Sequence, residues 1–192
     1  MLDTNIDLDI FKYLYDKIEV SSQDSIKNNK YMCCGIAYNV IKNKDILLKY
    51  FLNNDKNSYQ NLFNNLMNIS SERKLNNPKI NYYGEYLDEI TIQEDFKEIY
   101  NNMNYTELII CEFYESDYLN NIYNIIESIK IGDPMIINRS KEVFTVIKLN
   151  ENEFFVIDSH IRYHGKIKKN DLLNYMLINK FYKGILSIGV YK

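Results

Sequence analysis

The chain predicts an α+β fold, and three observations carry that prediction. Apolar residues recur at helical spacing through the region before Ser70. Short apolar runs between polar turns dominate after Pro134. The polar stretch 70–85, holding Pro78 and Gly84, separates the two regimes and marks a crossing between lobes. The 192 residues, 46% hydrophobic and 26% charged, suit one domain, with a helical lobe over about 1–75 and a mostly antiparallel sheet lobe over about 80–192.

The elements follow in order. In 8–18, LDIFKYLYDKI, the residues Leu8, Phe11, Leu14 and Ile18 fall on one helical face behind Asp7 as a cap. Segment 33–52 reads as one helix or two short ones, with Ile36, Ala37, Val40 and Ile41 facing inward. A third helix over 57–69 turns Leu62, Leu66 and Ile69 to the core. The stretch 106–114 reads as a buried strand enclosing Cys111, and 116–132 as a helix capped by Ser116 and closed by Gly132. The runs 134–138, 143–149 and 153–158 read as strands, the last two joined by a hairpin at 150–153. A helix over 171–181 with Asn170 as cap and a strand over 184–191 complete the order.

Charge and composition narrow the functional classes. A net charge of −3 supplies no phosphate-binding surface, and KIKK at 166–169 is too short to act as a nucleic-acid patch. No apolar run reaches the roughly 20 residues of a bilayer span. The acidic start lacks the basic region of a signal peptide. Three cysteines form no even set for a disulfide framework. The expectation is a protein kept in a reducing compartment, with no membrane or nucleic-acid partner. Cys33 and Cys34 are adjacent rather than spaced as C-x₂₋₄-C, so neither a metal nor a cofactor is expected. The overuse of Asn, Ile, Lys and Tyr fits an AT-rich coding genome; with 18 tyrosines, Tyr82, Tyr83 and Tyr86 carry little weight as cleft aromatics.

The only two histidines, His160 and His164, lie in FFVIDSHIRYHGKI. As i and i+2 on a strand, Asp158 and His160 share a face while Ser159 points away. A carboxylate on one ring nitrogen fixes the tautomer and leaves the other nitrogen as a base. The thiol to pair with that base comes from Cys33 or Cys34, at the start of a helix whose N–H groups and dipole stabilise a thiolate and, later, an oxyanion. Gln23, in the loop upstream, can add a side-chain N–H to that oxyanion. The separation from Cys33 to His160 lies close to the ~130–150 residues of papain-like enzymes. The bland reading makes Asp158 and His160 a brace at a bend and the cysteines a buried apolar pair. His164 reads as an exposed loop residue, and Arg162 as a partner of a nearby carboxylate or a cap on the turn before Gly165.

Two segments, SSQDSIKNNKYMCCGIAYNVI and VFTVIKLNENEFFVIDSHIRYHGKI, resemble the ubiquitin-specific proteases at the N-terminus of herpesvirus large tegument proteins and related domains of other large DNA viruses. In that family a glutamine precedes a loop ending Q-C, and a small residue stands four after the cysteine. A later hairpin runs into F-x-x-[FI]-D-[SP]-H-x-R-x-x-G. Asp158, His160, Arg162 and Gly165 match the second motif. Met32 replaces the glutamine before the cysteine, and Gln23 stands nearer the cysteine than the family pattern has it. The match runs from about Ser21 to the C-terminus. It implies a papain-like fold and a triad of Cys33, His160 and Asp158, with Gln23 as oxyanion donor. It also implies cleavage of isopeptide or peptide bonds after the ubiquitin C-terminus, on ubiquitin or ubiquitinated proteins, in the host cytoplasm or the virion. Ala37, four after Cys33, favours Cys33, with Cys34 as the alternative nucleophile. The alternatives are a ubiquitin-like modifier or viral polyprotein as substrate, or an inactive domain that binds a partner.

Overall fold

The apolar runs after Pro134 become the middle of a seven-stranded sheet. The structure, a computed structural model, describes residues 12–26, 32–76, 103–110, 116–139, 142–176 and 184–191. Its strands are β1 (Tyr15–Glu19), β2 (Met103–Ile110), β3 (Pro134–Arg139), β4 (Glu142–Lys148), β5 (Glu153–Ile157), β6 (Tyr163–Lys168) and β7 (Gly184–Tyr191). They lie in the order β1-β6-β5-β4-β3-β7-β2, and every pairing among the described residues is antiparallel. The helices are α1 (Cys33–Lys42), α2 (Lys44–Leu52), α3 (Lys56–Asn76), α4 (Ser116–Ser128) and α5 (Lys169–Met176). The fold is thus mixed helix and antiparallel sheet. Among the described residues no helix is long and apolar enough to cross a membrane.

Helices cover both faces of the sheet, which is why β4 and β5 read as unbroken apolar runs. Phe144, Val146, Phe154 and Val156 face a core shared with Ile122 and Ile126 of α4 and Leu172 and Tyr175 of α5. Ile147, Phe155 and Ile157 face the other way, into a core with Ile36 and Val40 of α1, Leu47 and Phe51 of α2, and Tyr59 and Phe63 of α3. Phe51 stacks on Phe155 with ring centroids 4.0 Å apart.

Several expectations change. Residues 15–18, expected in a helix, form strand β1, while 8–11 lie outside the described residues. Leu14 and Ile18 are both buried, as an i, i+4 pair should be, but on opposite faces of the sheet. A bulge between Tyr15 and Ile18, where Asp16 takes φ 46°, reverses the strand alternation, and because both faces of the sheet are covered each residue is still buried. The segment 33–52 splits into α1 and α2, and Ile36, Ala37, Val40 and Ile41 are buried as expected.

In α3 the buried face is Tyr59, Phe63, Leu66, Met67 and Ser70, rotated from the expected one, of which only Leu66 is fully buried. The Asp55 carboxylate accepts the Ser58 N–H at 3.1 Å and starts that helix. Its last turns take up 70–76; the remainder of the expected crossing, with Pro78 and Gly84, and the tyrosines at 82, 83 and 86 lie outside the described residues, as does Cys111. Helix α4 ends at Ser128, so Gly132, at φ 88°, makes the turn into β3 instead of closing the helix. Helix α5 begins at Lys169, one residue before the expected cap. Strand β6 was not expected, because Tyr163–Lys168 is polar and carries a histidine.

Candidate active site

Strand β5 ends at Ile157, and Asp158, Ser159 and His160 form the turn beyond it. The proximity of Asp158 and His160 is therefore not a product of strand alternation. The Asp158 carboxylate folds back over its own turn: Oδ1 accepts the His160 backbone N–H at 3.0 Å and faces His160 Nδ1 at 2.7 Å. Aspartate side chains favour this local closure, which fixes the imidazole without help from a distant element. Asp158 is 0% exposed and the His160 side chain 16%, so the acid is shielded and the ring reaches the surface.

Cys33 opens α1. Its helix runs between the sheet and α3, held by Asn39 Nδ2 donating to Ser70 Oγ at 2.9 Å, and Ser70 Oγ donating to the Leu66 carbonyl at 2.9 Å. Seven of its ten residues are buried, including Cys33; the start of the helix is therefore pinned in space. The Cys33 side chain hydrogen-bonds the His160 ring. With Nδ1 held by Asp158, Nε2 is the nitrogen left to exchange a proton with sulfur. Burial pulls the His160 pKa down, but the charge and hydrogen bond of Asp158, with the hydrogen bond and charge of Cys33, carry it well above the ordinary value. The ring is held as an imidazolium at neutral pH. Cys34 differs: burial first, then the charge of Cys33, push its thiol well up, so it stays protonated. Of the two adjacent cysteines, Cys33 is the one that meets the imidazole.

Gln23 is buried in a single 3₁₀ turn, Gln23–Ser25, that follows β1. Its backbone N–H donates to the Ser159 carbonyl at 2.7 Å, and Ser159 Oγ donates to Gln23 Oε1 at 2.9 Å. Ser159 thus leaves the Asp158–His160 pair, as expected, yet it does so to bind Gln23. Gln23 is hydrogen-bonded to Ser159, and Cys33 and Asp158 to the His160 ring, so the turn 158–160 gathers all four residues singled out by sequence.

Three supporting residues escaped the sequence. Tyr175 of α5 donates its hydroxyl to Asp158 Oδ2 at 2.9 Å. His164, expected to be exposed, is 0% exposed on β6. Its Nε2 lies 3.2 Å from the Asp158 carbonyl oxygen and its Nδ1 2.8 Å from the Tyr59 hydroxyl. Burial lowers its pKa to about 4, against weaker opposing effects of the Asp158 charge and carbonyl. The ring is neutral: Nε2–H donates to the carbonyl, and Nδ1 accepts from Tyr59. Phe63 packs edge-on against it, centroids 4.4 Å apart. No local signal marked these contacts, because Tyr59 and Tyr175 come from other helices and tyrosine is common throughout.

Arg162 is exposed, and its backbone carbonyl takes part instead, accepting the Val20 N–H at 2.8 Å. Among the described residues no group of three or more His, Cys, Asp or Glu side chains is placed to hold a metal ion. Neither a protein-family model nor a curated protein matches this chain.

Proposed function

We propose that the chain is a papain-like cysteine protease that cleaves the bond after the C-terminal glycine of ubiquitin. The observation that supports it best is the His160 ring, with the buried Asp158 carboxylate 2.7 Å from one nitrogen and the Cys33 thiol hydrogen-bonded to the same ring. A cysteine sulfur facing an imidazole ring whose position is fixed by an acid is the arrangement that nucleophilic acyl transfer needs.

In this reading the Cys33 proton resides on His160, and the sulfur adds to the substrate carbonyl carbon. The carbonyl π electrons move onto oxygen, where the Gln23 carboxamide N–H and N–H groups at the start of α1 receive the negative charge. The oxyanion re-forms its double bond, the C–N bond breaks, and His160 gives its proton to the leaving amine. Water then attacks the thioester, losing a proton to His160, and the acyl–sulfur bond breaks to release the thiolate and the carboxylic acid, which gives its remaining proton to solvent. Asp158 stays ionised throughout and holds the ring. Ubiquitin as substrate, and the host cytoplasm or virion as the setting, rest on the resemblance of the two motifs.

The test is a ubiquitin bearing a C-terminal vinyl electrophile. The reading expects one adduct, mapped by mass spectrometry to Cys33, lost in Cys33→Ala and kept in Cys34→Ala. An adduct with a ubiquitin-like electrophile alone would move the substrate to that modifier. No adduct with either, together with a Cys33 that alkylates no faster than free cysteine, would leave a binding domain.

A further inference from the structure

The turn 158–160 supplies an acid and a base, and its middle residue is occupied as well. Ser159 is 2% exposed, and its side chain leaves the Asp158–His160 pair to reach Gln23, 136 positions away in the chain. The two residues are joined twice, by the Gln23 N–H on the Ser159 carbonyl and by the Ser159 hydroxyl on Gln23 Oε1. A carboxamide has two ends of similar shape and opposite polarity. Only one of them can serve an oxyanion. A hydroxyl that donates to Oε1 decides which end is engaged: the oxygen is held, and the NH₂ group is the end left to meet an oxyanion.

We propose that Ser159 is a positioning residue for oxyanion stabilisation, setting the rotamer and the flip of the Gln23 carboxamide so that its N–H, and not its oxygen, faces the developing charge. The inference rests on the cysteine protease reading. It adds that three consecutive residues orient three different groups: Asp158 the imidazole, His160 the thiol proton, and Ser159 the oxyanion donor. Without the hydroxyl, the amide turns freely, and its oxygen faces the oxyanion part of the time. A donor that is misdirected for part of the time costs less than a donor removed, which is worth about 10²–10³-fold in kcat.

The experiment uses the full chain and ubiquitin carrying a C-terminal aminocoumarin amide. Ser159→Ala is expected to lower kcat by about 10–100-fold, less than loss of the donor itself, with KM within about twofold. The alkylation rate of Cys33 with iodoacetamide, a reaction with no oxyanion, stays within about twofold of the parent. Ser159→Thr, which keeps a hydroxyl, recovers most of the activity. Gln23→Glu keeps an acceptor for Ser159 but removes the N–H, and falls at least as far as Ser159→Ala. In a Gln23→Ala background, Ser159→Ala adds no further loss, because the two residues act through one donor. If Ser159→Ala does not fold, Ser159→Thr and Ser159→Val, matched in shape, carry the same comparison.

Full activity in Ser159→Ala, or losses that multiply in the double variant, would overturn the role of Ser159 while leaving the protease intact. A parent chain inert toward the ubiquitin amide and the electrophile would overturn the protease reading, and this inference with it.

Discussion

His160 and His164 stand four residues apart and both bond to Asp158, yet the protein drives them to opposite states. His160 meets the carboxylate and is held charged; His164 meets only the backbone carbonyl of the same residue and is held neutral. Both rings lose water. Asp158 raises the pKa of both rings, but only at His160 do its charge and carboxylate hydrogen bond act together with Cys33, and that sum outweighs burial; at His164 the more distant charge and the backbone carbonyl do not. One aspartate thus borders two identical side chains held in opposite charge states.

The largest expected effect breaks the first half of that comparison. On the protease reading, His160→Gln, whose amide keeps a hydrogen bond to Asp158, should lower kcat toward a ubiquitin amide at least about 10³-fold, or ~4 kcal/mol of barrier, and should also lose the stability that the charged ring contributes near pH 7. Stopped-time hydrolysis and urea denaturation read the two quantities separately.

The second half should break the other way. His164→Ala leaves a cavity and removes the partner of the Tyr59 hydroxyl, for a loss of about 2–4 kcal/mol in stability near pH 7 with a far smaller effect on kcat. That loss should shrink in acid. The unfolded His164 protonates near the ordinary 6.5 and the folded one only near 4, so the parent alone gives up stability as pH falls between those values, roughly 3 kcal/mol in all. His160 has the reverse sign: its contribution is complete below 6.5 and fades as pH rises through its raised folded value. Denaturation curves of parent and His164→Ala between pH 4 and 7 that stay parallel would contradict the neutral, buried ring.

Smaller effects sharpen the picture. Tyr175→Phe removes the donor to Asp158 Oδ2 and should cost about 1.5–3 kcal/mol of stability, as a hydrogen bond to a charged group does, with a drop in kcat of about tenfold. Cys34→Ala, which deletes a protonated and desolvated thiol, should change kcat less than about twofold and stability by at most ~1 kcal/mol. A large effect there would return Cys34 to the role assigned to Cys33.

The sequence disclosed most about elements whose signal is local. Helix α1 declared itself through Ile36, Ala37, Val40 and Ile41, and β3, β4, β5 and β7 through apolar runs that two covered faces demand. It misled where geometry changes the repeat. Leu14 and Ile18, buried on opposite faces across the bulge at Asp16, read as one helical face, and β6 hid behind Tyr163, His164 and Lys166. The site divides in the same way. Asp158 and His160 were visible as a pair, although a side-chain-closed turn and not strand alternation unites them. Tyr59, His164 and Tyr175 support that turn from α3, β6 and α5, and no short window contains such a contact.

Gly165 shows how far the reach of the turn extends. A Cβ built there would stand 2.8 Å from the Tyr15 carbonyl oxygen, because β1 lies directly against it at the margin of the sheet. From β1 the chain continues through Val20, tied to Arg162, to Gln23, tied to Ser159. A methyl group at 165 would force this outer ribbon to shift, and on the protease reading that strain would reach Gln23 from a position outside the site.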